Sequence, residues 1–263
     1  MALGSALWTV MTGAASKAAR TMKRDFGEIE QLQVSRKGPS DFVSAADLKA
    51  EKTLRTELEK GRPKFGFLLE ESGEIQGADK RHRWIIDPID GTTNFLHGIP
   101  HFAISIGLQM DEEIIAGLVY NPVTNEMFYA EKGKGAFLND HRLRVSARSD
   151  LGDSIIATGI PFRGIPGHSS FLNRLERVMK VTAGVRRMGT ASLDLAYVAA
   201  GRYDGFWEVG LKPWDIAAGL LLVQEAGGFI SDIEGGRTML ATGDVVSANP
   251  RIHGPLLGLL KDN

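Results

Sequence analysis

The sequence contains no cysteine, which excludes disulfides, thiol nucleophiles and thiolate zinc centres. It also lacks an excess of either charge: 31 Lys and Arg against 32 Asp and Glu give a formal net charge of -1. No global field therefore draws nucleic acid or an acidic membrane to it, and no direct nucleic-acid binding is expected. No apolar run approaches the roughly 18 residues of a membrane span, so no membrane partner is expected and the chain reads as cytoplasmic. Internal repeats, low-complexity tracts and charge blocks are absent as well. One local gap is notable. Residues 1–24 hold Lys17, Arg20, Lys23 and Arg24 but no acid, a bias shared with transit peptides. Leu3, Leu7, Val10 and Met11 recur at helical spacing and the pattern runs on into Met22, so an amphipathic first helix is expected.

What is present is an ordinary globular composition, 43% hydrophobic and 24% charged over 263 residues. That length suits one large domain or two small lobes. Helical and alternating apolar patterns interleave, which predicts an α/β (α+β layered) fold. Helices are expected over about 3–24 and 44–60, and strands near 65–69, 83–87, 102–110, 113–121 and 126–131. Turn signals separate them at Gly61-Arg62-Pro63, Asn121-Pro122 and Gly133-Lys134-Gly135. Further on, a strand near 154–159, a Gly/Pro loop from Gly159 to Gly167, and a helix near 168–180 follow. A strand near 184–187, helices near 191–200 and 214–226, strands near 228–232 and 243–247, and a last helix near 250–260 complete the pattern. The change of rhythm near 145–152 predicts an N-terminal lobe over 1–148 and a C-terminal lobe over 149–263.

The most informative stretch runs from Trp84 to Phe95. An apolar run ends in Asp87 and Asp90, with Pro88 and Ile89 between them and Gly91-Thr92-Thr93 directly after. Proline stiffens the backbone there, so two carboxylates and the Ile89 carbonyl can be aimed at one point. Mg²⁺ takes oxygen ligands of this kind. Without a cation, converging carboxylates repel and one tends to hold a proton. A bare D-x-x-D can equally be a turn cap; the strand before it and the Gly-Thr-Thr after it favour the metal. Gly91 is a candidate for positive φ. Thr92 and Thr93 can open a short helix, either as an anion site or as an ordinary cap. Upstream, Phe65–Leu69 is a second apolar strand ending in acids, Glu70-Glu71-Ser72-Gly73. Downstream, Asp215 in Trp214-Asp215-Ile216-Ala217-Ala218-Gly219 stands where a helix N-cap belongs, and by position alone capping suffices to explain it.

These pieces, in this order, resemble the inositol monophosphatase family of magnesium-dependent phosphatases. The segments from Asp87 to Phe95 and from Trp214 to Gly228 look like its two signature motifs, and the likeness runs from the Lys37 region to Gly228. Leu211-Lys212-Pro213-Trp214-Asp215 and the run from Asp194 to Gly201 look like the bacterial members. The resemblance implies two or three Mg²⁺ ions. Glu70, Asp87 and the Ile89 carbonyl would hold the first and Asp87, Asp90 and Asp215 the second, with a weaker third ion near Glu70. It implies catalytic roles for Glu70, Asp47, Thr92 and Asp90, with Asp47 and Thr92 orienting the attacking water. Gly91 and Thr92 would bind phosphate. Gly189, Thr190, Ala191, Glu208 and Asp215 would meet the hydroxyls of a small phosphorylated polyol. Lys37 matches a lysine near the phosphate. Leu69 stands where the family commonly has glycine, and the loop from Gly159 to Arg163 departs from the animal enzymes.

The implied activity is hydrolysis of myo-inositol 1-phosphate to inositol and phosphate by direct attack of water, in a homodimer. A 3'(2'),5'-bisphosphate nucleotidase or a fructose-1,6-bisphosphatase-type sugar phosphatase is the alternative. It should need extra aromatic or basic residues near Gly189 and Glu208, and no insertion supplies them. A bacterial relative in this group also serves as an accessory factor in ribosomal RNA transcription and processing, a role that would use a surface. The apolar strands near 102–121 are consistent with a dimer face. His97 and His101 are four apart, but Gly98 and Pro100 break the helix a metal pair would need. Arg186-Arg187 reads as a solvated pair at a strand end, and Phe206-Trp207 as core.

Overall fold

The computed structural model describes residues 4–28, 34–38, 41–162 and 164–261, and the side chains of 34–38 and 41–43 fall outside that description. Two long helices come early, α1 (Ala6–Gly27) and α2 (Ala45–Gly61), separated by the hairpin of β1 (Val34–Gly38) and β2 (Asp41–Ser44). The first helix starts later than its apolar pattern indicates, because Ser5 caps it by accepting the Trp8 amide at 3.0 Å, and it runs on to Gly27.

An eight-stranded sheet follows. Its strands are β3 (Gly66–Leu69), β4 (Gly73–Ile75), β5 (His82–Asp90), β6 (Ala103–Met110), β7 (Glu113–Asn121), β8 (Glu126–Glu131), β9 (Gly135–Leu138) and β10 (His141–Arg142). A short helix, α3 (Thr92–Leu96), joins β5 to β6. The spatial order is β10-β9-β8-β7-β6-β5-β3-β4, with only β3 and β5 paired in parallel.

The rest of the chain forms β11 (Ile155–Thr158), α4 (His168–Met179), β12 (Gly184–Arg186), α5 (Ala191–Ala199), β13 (Gly205–Glu208), α6 (Pro213–Glu225), β14 (Phe229–Ser231), α7 (Met239–Thr242), β15 (Val245–Ala248) and α8 (His253–Leu260). Its strands make a five-stranded sheet in the order β12-β11-β13-β15-β14.

Contacts stack these elements into five layers. α1 and α2 cover one face of the large sheet, α5 and α6 lie between the two sheets, and α4 and α8 cover the outer face of the small sheet. The strand period of two explains the large sheet's faces. Ile104, Ile106, Leu108, Ala116, Leu118 and Tyr120 pack under α1 and α2. Several of the alternate positions are small: Ala103, Ser105, Gly107 and Gly117. They admit α6 closely, since a Cβ on Gly117 would lie 2.7 Å from the Ala218 carbonyl oxygen and one on Gly107 would lie 2.8 Å from the Ala218 neighbour Ala217. The apolar strands over 102–121 are therefore covered within the chain on both faces, and their apolarity is not that of an open dimer face. Among the described residues no helix is long and apolar enough to cross a membrane.

Candidate active site

β5 delivers Asp87 and Asp90 to one face, though residues three apart in a regular strand point to opposite faces. Asp87 pairs with Ser105 and Asp90 with Ala103, so three steps on β5 answer two on β6. This is a β-bulge over Pro88-Ile89, where proline has no N–H to give the ladder. The extra residue restores parity. Ile86 and Ile89 fall in the core under α1 and α2, while Asp87 and Asp90 fall on the α6 side with Ser105 and Ala103. The sequence reading of a strand ending at 87 followed by a stiff turn is corrected here: the strand continues to 90.

The other acids are brought to this point by separate elements. Glu70 directly follows β3, and its amide donates to the Ile86 carbonyl at 3.1 Å, beside Asp87. Asp215 is the third residue of α6, not its N-cap; Lys212 is the cap. Asp215 accepts the Lys212 amide at 2.7 Å. Ser105 donates to the Trp214 carbonyl at 2.9 Å and pins this helix start to the sheet. Asp90 accepts the Ser192 amide at 2.7 Å and an amide bond from Ala191, so the first turn of α5 holds a carboxylate where its dipole favours one.

Electrostatics tie the group together. Burial raises Asp87 well above the ordinary carboxylate range, and Glu70, Asp90 and Asp215 push it further. Burial likewise raises Asp215, with Asp90 and Glu70 adding to it. Asp90 is pushed up to about 6 by burial, against the stabilising bonds from Ser192. As the side chains lie, no three acidic or histidine groups among the described residues surround one point at ligating distance. Asp87 keeps an oxygen on the Ile89 amide at 2.9 Å, as Asp90 and Asp215 do on theirs. The donor set is still all oxygen, buried and surplus in negative charge, which fits a hard divalent cation and not a soft one.

Asp47 sits in the first turn of α2, where it completes a capping box with Ser44. Its second oxygen accepts the Thr92 hydroxyl at 3.2 Å, and that hydroxyl also reaches the Ile89 carbonyl at 3.0 Å. Burial raises Asp47, and bonds from Ser44 oppose this. Gly91 precedes α3 at φ 93°, and a Cβ there would lie 2.5 Å from the Thr190 hydroxyl, so both conformation and space require glycine. The Thr190 hydroxyl is committed to the His101 carbonyl at 3.0 Å.

Two adjoining cavities open on these residues. One, of about 380 Å³, is lined by Asp90, Gly91, Thr92, Gly189, Thr190, Ala191, Glu208 and Asp215. Here Arg187 also faces the cavity, next to acids, and is not simply a solvated strand end. The other, of about 480 Å³, carries Glu70, Glu208 and Asp215 beside Phe162, Phe171, Trp207 and Trp214. Aromatic residues thus stand near Glu208 without any insertion, contrary to the expectation from sequence. Glu208 is raised to about 8 by burial and Asp90, with Arg187 opposing. Its carboxyl occupies the space over Gly159, where a Cβ would fall 1.8 Å from Oε1.

Several residues here had no signal in the sequence. Ser192 acts through its amide, which carries no side-chain mark; Ala191, expected to meet substrate hydroxyls, gives its amide to Asp90 instead. Asn94 donates to the carbonyls of His101 and Met188, both at 2.8 Å, and ties α3 to the loop between β12 and α5. Asp194 is 1% exposed and raised well above its ordinary value by burial and then by Glu208 and Asp90. His97 is exposed whereas His101 is buried against Tyr197, and they form no pair. The side chains of Lys37 and Arg163 lie outside the described residues.

Fold and site together define an α/β protein of alternating helix and sheet layers, with acidic side chains from several elements lining adjoining cavities. Residues 5–262 match the inositol monophosphatase family, and the chain belongs to that family. It is 57% identical to an inositol-1-monophosphatase of Mesorhizobium japonicum over 98% of this chain and 97% of that one. It is 44% identical to the Nus factor SuhB of Escherichia coli strain K12, over 95% and 93% of the two chains. The crystal structure of the extragenic suppressor protein suhB from Bartonella henselae superposes with a TM-score of 0.96 at 56% identity, covering 98% of this chain and 100% of that one.

Proposed function

We propose that this protein is an inositol-1-monophosphatase, hydrolysing the phosphate monoester of a small polyol to the alcohol and inorganic phosphate. The observation that carries the reading is the bulge at Pro88-Ile89, which turns Asp87 and Asp90 to the same side as Asp215. Glu70, Asp87 and the Ile89 carbonyl would hold one Mg²⁺, Asp87, Asp90 and Asp215 a second, and a weaker third would lie near Glu70. When bound, such ions lower the pKa of water and neutralise charge on the phosphoryl oxygens.

The chain's own groups do the rest. The Thr92 hydroxyl gives its proton to Asp47 or the Ile89 carbonyl, so its lone pairs accept from the attacking water and fix its direction. Glu70 takes a proton from that water as its oxygen bonds to phosphorus; the ester P–O bond breaks, and the leaving alkoxide takes a proton from protonated Asp90 or from a water. The Gly91 and Thr92 amides meet the phosphate. Glu208, raised to about 8, is largely protonated at neutral pH and can donate to a polyol hydroxyl. The Gly189–Ala191 backbone lines the same cavity.

The test is phosphate release from purified protein across inositol 1-phosphate, a nucleoside bisphosphate and a sugar bisphosphate, with magnesium and with a chelator. Magnesium-dependent turnover greatest on the inositol ester is expected; chelator-resistant turnover would overturn the reading.

The likeness to a protein named as a Nus factor favours a second, non-catalytic role at a surface. An Asp90→Asn chain that rescues an RNA-linked growth defect while releasing no phosphate would support it.

A further inference from the structure

One buried acid near the site has no part in the reading above. Glu51 lies on α2, one helical turn after Asp47, and is 3% exposed. A buried carboxylate is tolerated only when its oxygens are satisfied, and both oxygens of Glu51 are spent on one short segment. Oε2 accepts the Glu71 amide at 2.8 Å, and Oε1 accepts the Ser72 hydroxyl. Those two residues directly follow Glu70.

We infer that Glu51 is a positioning residue that fixes the turn from Glu70 to Ser72, and thereby the placement of the Glu70 carboxylate for the divalent cation. This role presupposes that Glu70 is a metal ligand, as proposed above. Glu70 is held to the sheet through its amide, which donates to the Ile86 carbonyl. It stands at the end of a four-residue strand, and the chain beyond it turns at once into β4. Glu51 ties that turn to α2, in addition to its attachment to β3 and β4.

The same helix reaches the other half of the site. Asp47 holds Thr92, and Glu51 holds the segment after Glu70. Four residues of α-helix span about 6 Å along the axis, so α2 sets a fixed spacing between the water-orienting threonine and the Glu70 turn. Both carboxylates lie on its buried face, and the helix packs on β5, which carries Asp87 and Asp90.

The test compares Glu51→Ala, Glu51→Gln and Ser72→Ala with the parent, reading Mn²⁺ binding without substrate by EPR or calorimetry and the magnesium dependence of phosphate release. Glutamine can accept the Glu71 amide and donate to Ser72, so it preserves the geometry. Loss of a group that orients a metal ligand typically weakens metal affinity by about 10–100-fold. Glu51→Ala should therefore weaken Mn²⁺ binding and raise the half-saturating magnesium at least about tenfold, with KM for the ester at saturating magnesium little changed. Glu51→Gln should stay within about threefold of the parent, and Ser72→Ala should fall between them. Asp232→Asn serves as a control that costs stability far from the site. If Glu51→Ala binds Mn²⁺ as the parent does, or if Asp232→Asn weakens binding equally, the inference is overturned. Should Glu51→Ala fail to fold, an unchanged Mn²⁺ affinity in Ser72→Ala overturns it and a weakened one supports it. A parent that binds no divalent cation overturns the proposed function itself, which is a separate result.

Discussion

Gly159 carries no side chain, and the Glu208 carboxyl fills the room this leaves. A methyl at that position would stand 1.9 Å from the Glu208 Cδ, so the flexible glutamate has to swing away. Gly159→Ala should leave the fold intact and raise KM for the polyol ester about tenfold, the effect of about 1.4 kcal/mol in binding. Steady-state kinetics will measure it, and an unchanged KM would disconnect Glu208 from the substrate. Asp90 is a different case, since Ser192 and Ala191 hold its carboxylate from across the site. Asparagine can keep one of those amide bonds but lacks the charge. Turnover by Asp90→Asn should fall by at least about 10²-fold, within the range of general acid–base contributions, while circular dichroism stays as in the parent. At this scale the sequence was most legible where a proposed role falls on a side chain: Glu70, Asp87, Asp90, Asp215 and Asp47 all stand on the motifs. It was silent where an amide or an empty space does the work, as with Ser192 and Gly159. Glu51 was invisible for another reason, because an acid on a helix is ordinary until its burial is known.

Helices and strands place these groups through a few close contacts. α6 can bring Asp215 to the bulge only because Gly107 and Gly117 leave nothing between helix and sheet. A Cβ on Gly117 would lie 2.9 Å from the Ala218 Cα as well as close to its carbonyl, and backbone cannot yield as a side chain does. Gly117→Ala should cost about 1–3 kcal/mol, as overpacking does, visible as a lower urea midpoint with an unchanged slope. The turn after β14 provides a pH-dependent counterpart. Asp232 accepts the Thr238 hydroxyl at 2.6 Å and the amides of Glu234, Gly236 and Thr238. These bonds, Thr238's hydroxyl foremost, hold its carboxyl below the ordinary value. A carboxylate with a lowered folded pKa adds stability that is fully present above the unfolded value of about 3.9 and fades as pH falls through the folded one. Asp232→Asn should therefore cost about 1–3 kcal/mol at neutral pH, and the gap from the parent should narrow below about pH 4, as followed by denaturation across pH. The long helices and most of the longer strands were readable from apolar periodicity, but the β1–β2 hairpin, β4, β9, β10, β13 and α7 were not, and neither was the bulge. Pro88 marks a disturbed strand, and nothing in one sequence states which partner residue each aspartate will face.

Across the molecule, the large sheet supplies Glu70, Asp87 and Asp90, while the layer between the sheets supplies Asp215 and the amides on Asp90. A cation shared by these groups would join the two regions, and binding to the folded state alone raises its stability by about 2.7 kcal/mol at a hundred times Kd. For a chain of this size that corresponds to a rise in Tm of roughly 5–10 °C with magnesium, measurable by scanning calorimetry. Asp215→Asn should lose most of that rise; a full rise in the variant would remove Asp215 from the cation site. The bond from the Ser192 amide to Asp90 has a further consequence during synthesis. On the ribosome, the strand bearing Asp87 and Asp90 emerges long before α5 and α6. Until Ser192 and Asp215 have cleared the exit tunnel, a nascent chain holds Asp90 without its amide partner, so the proposed site can be complete only late in translation.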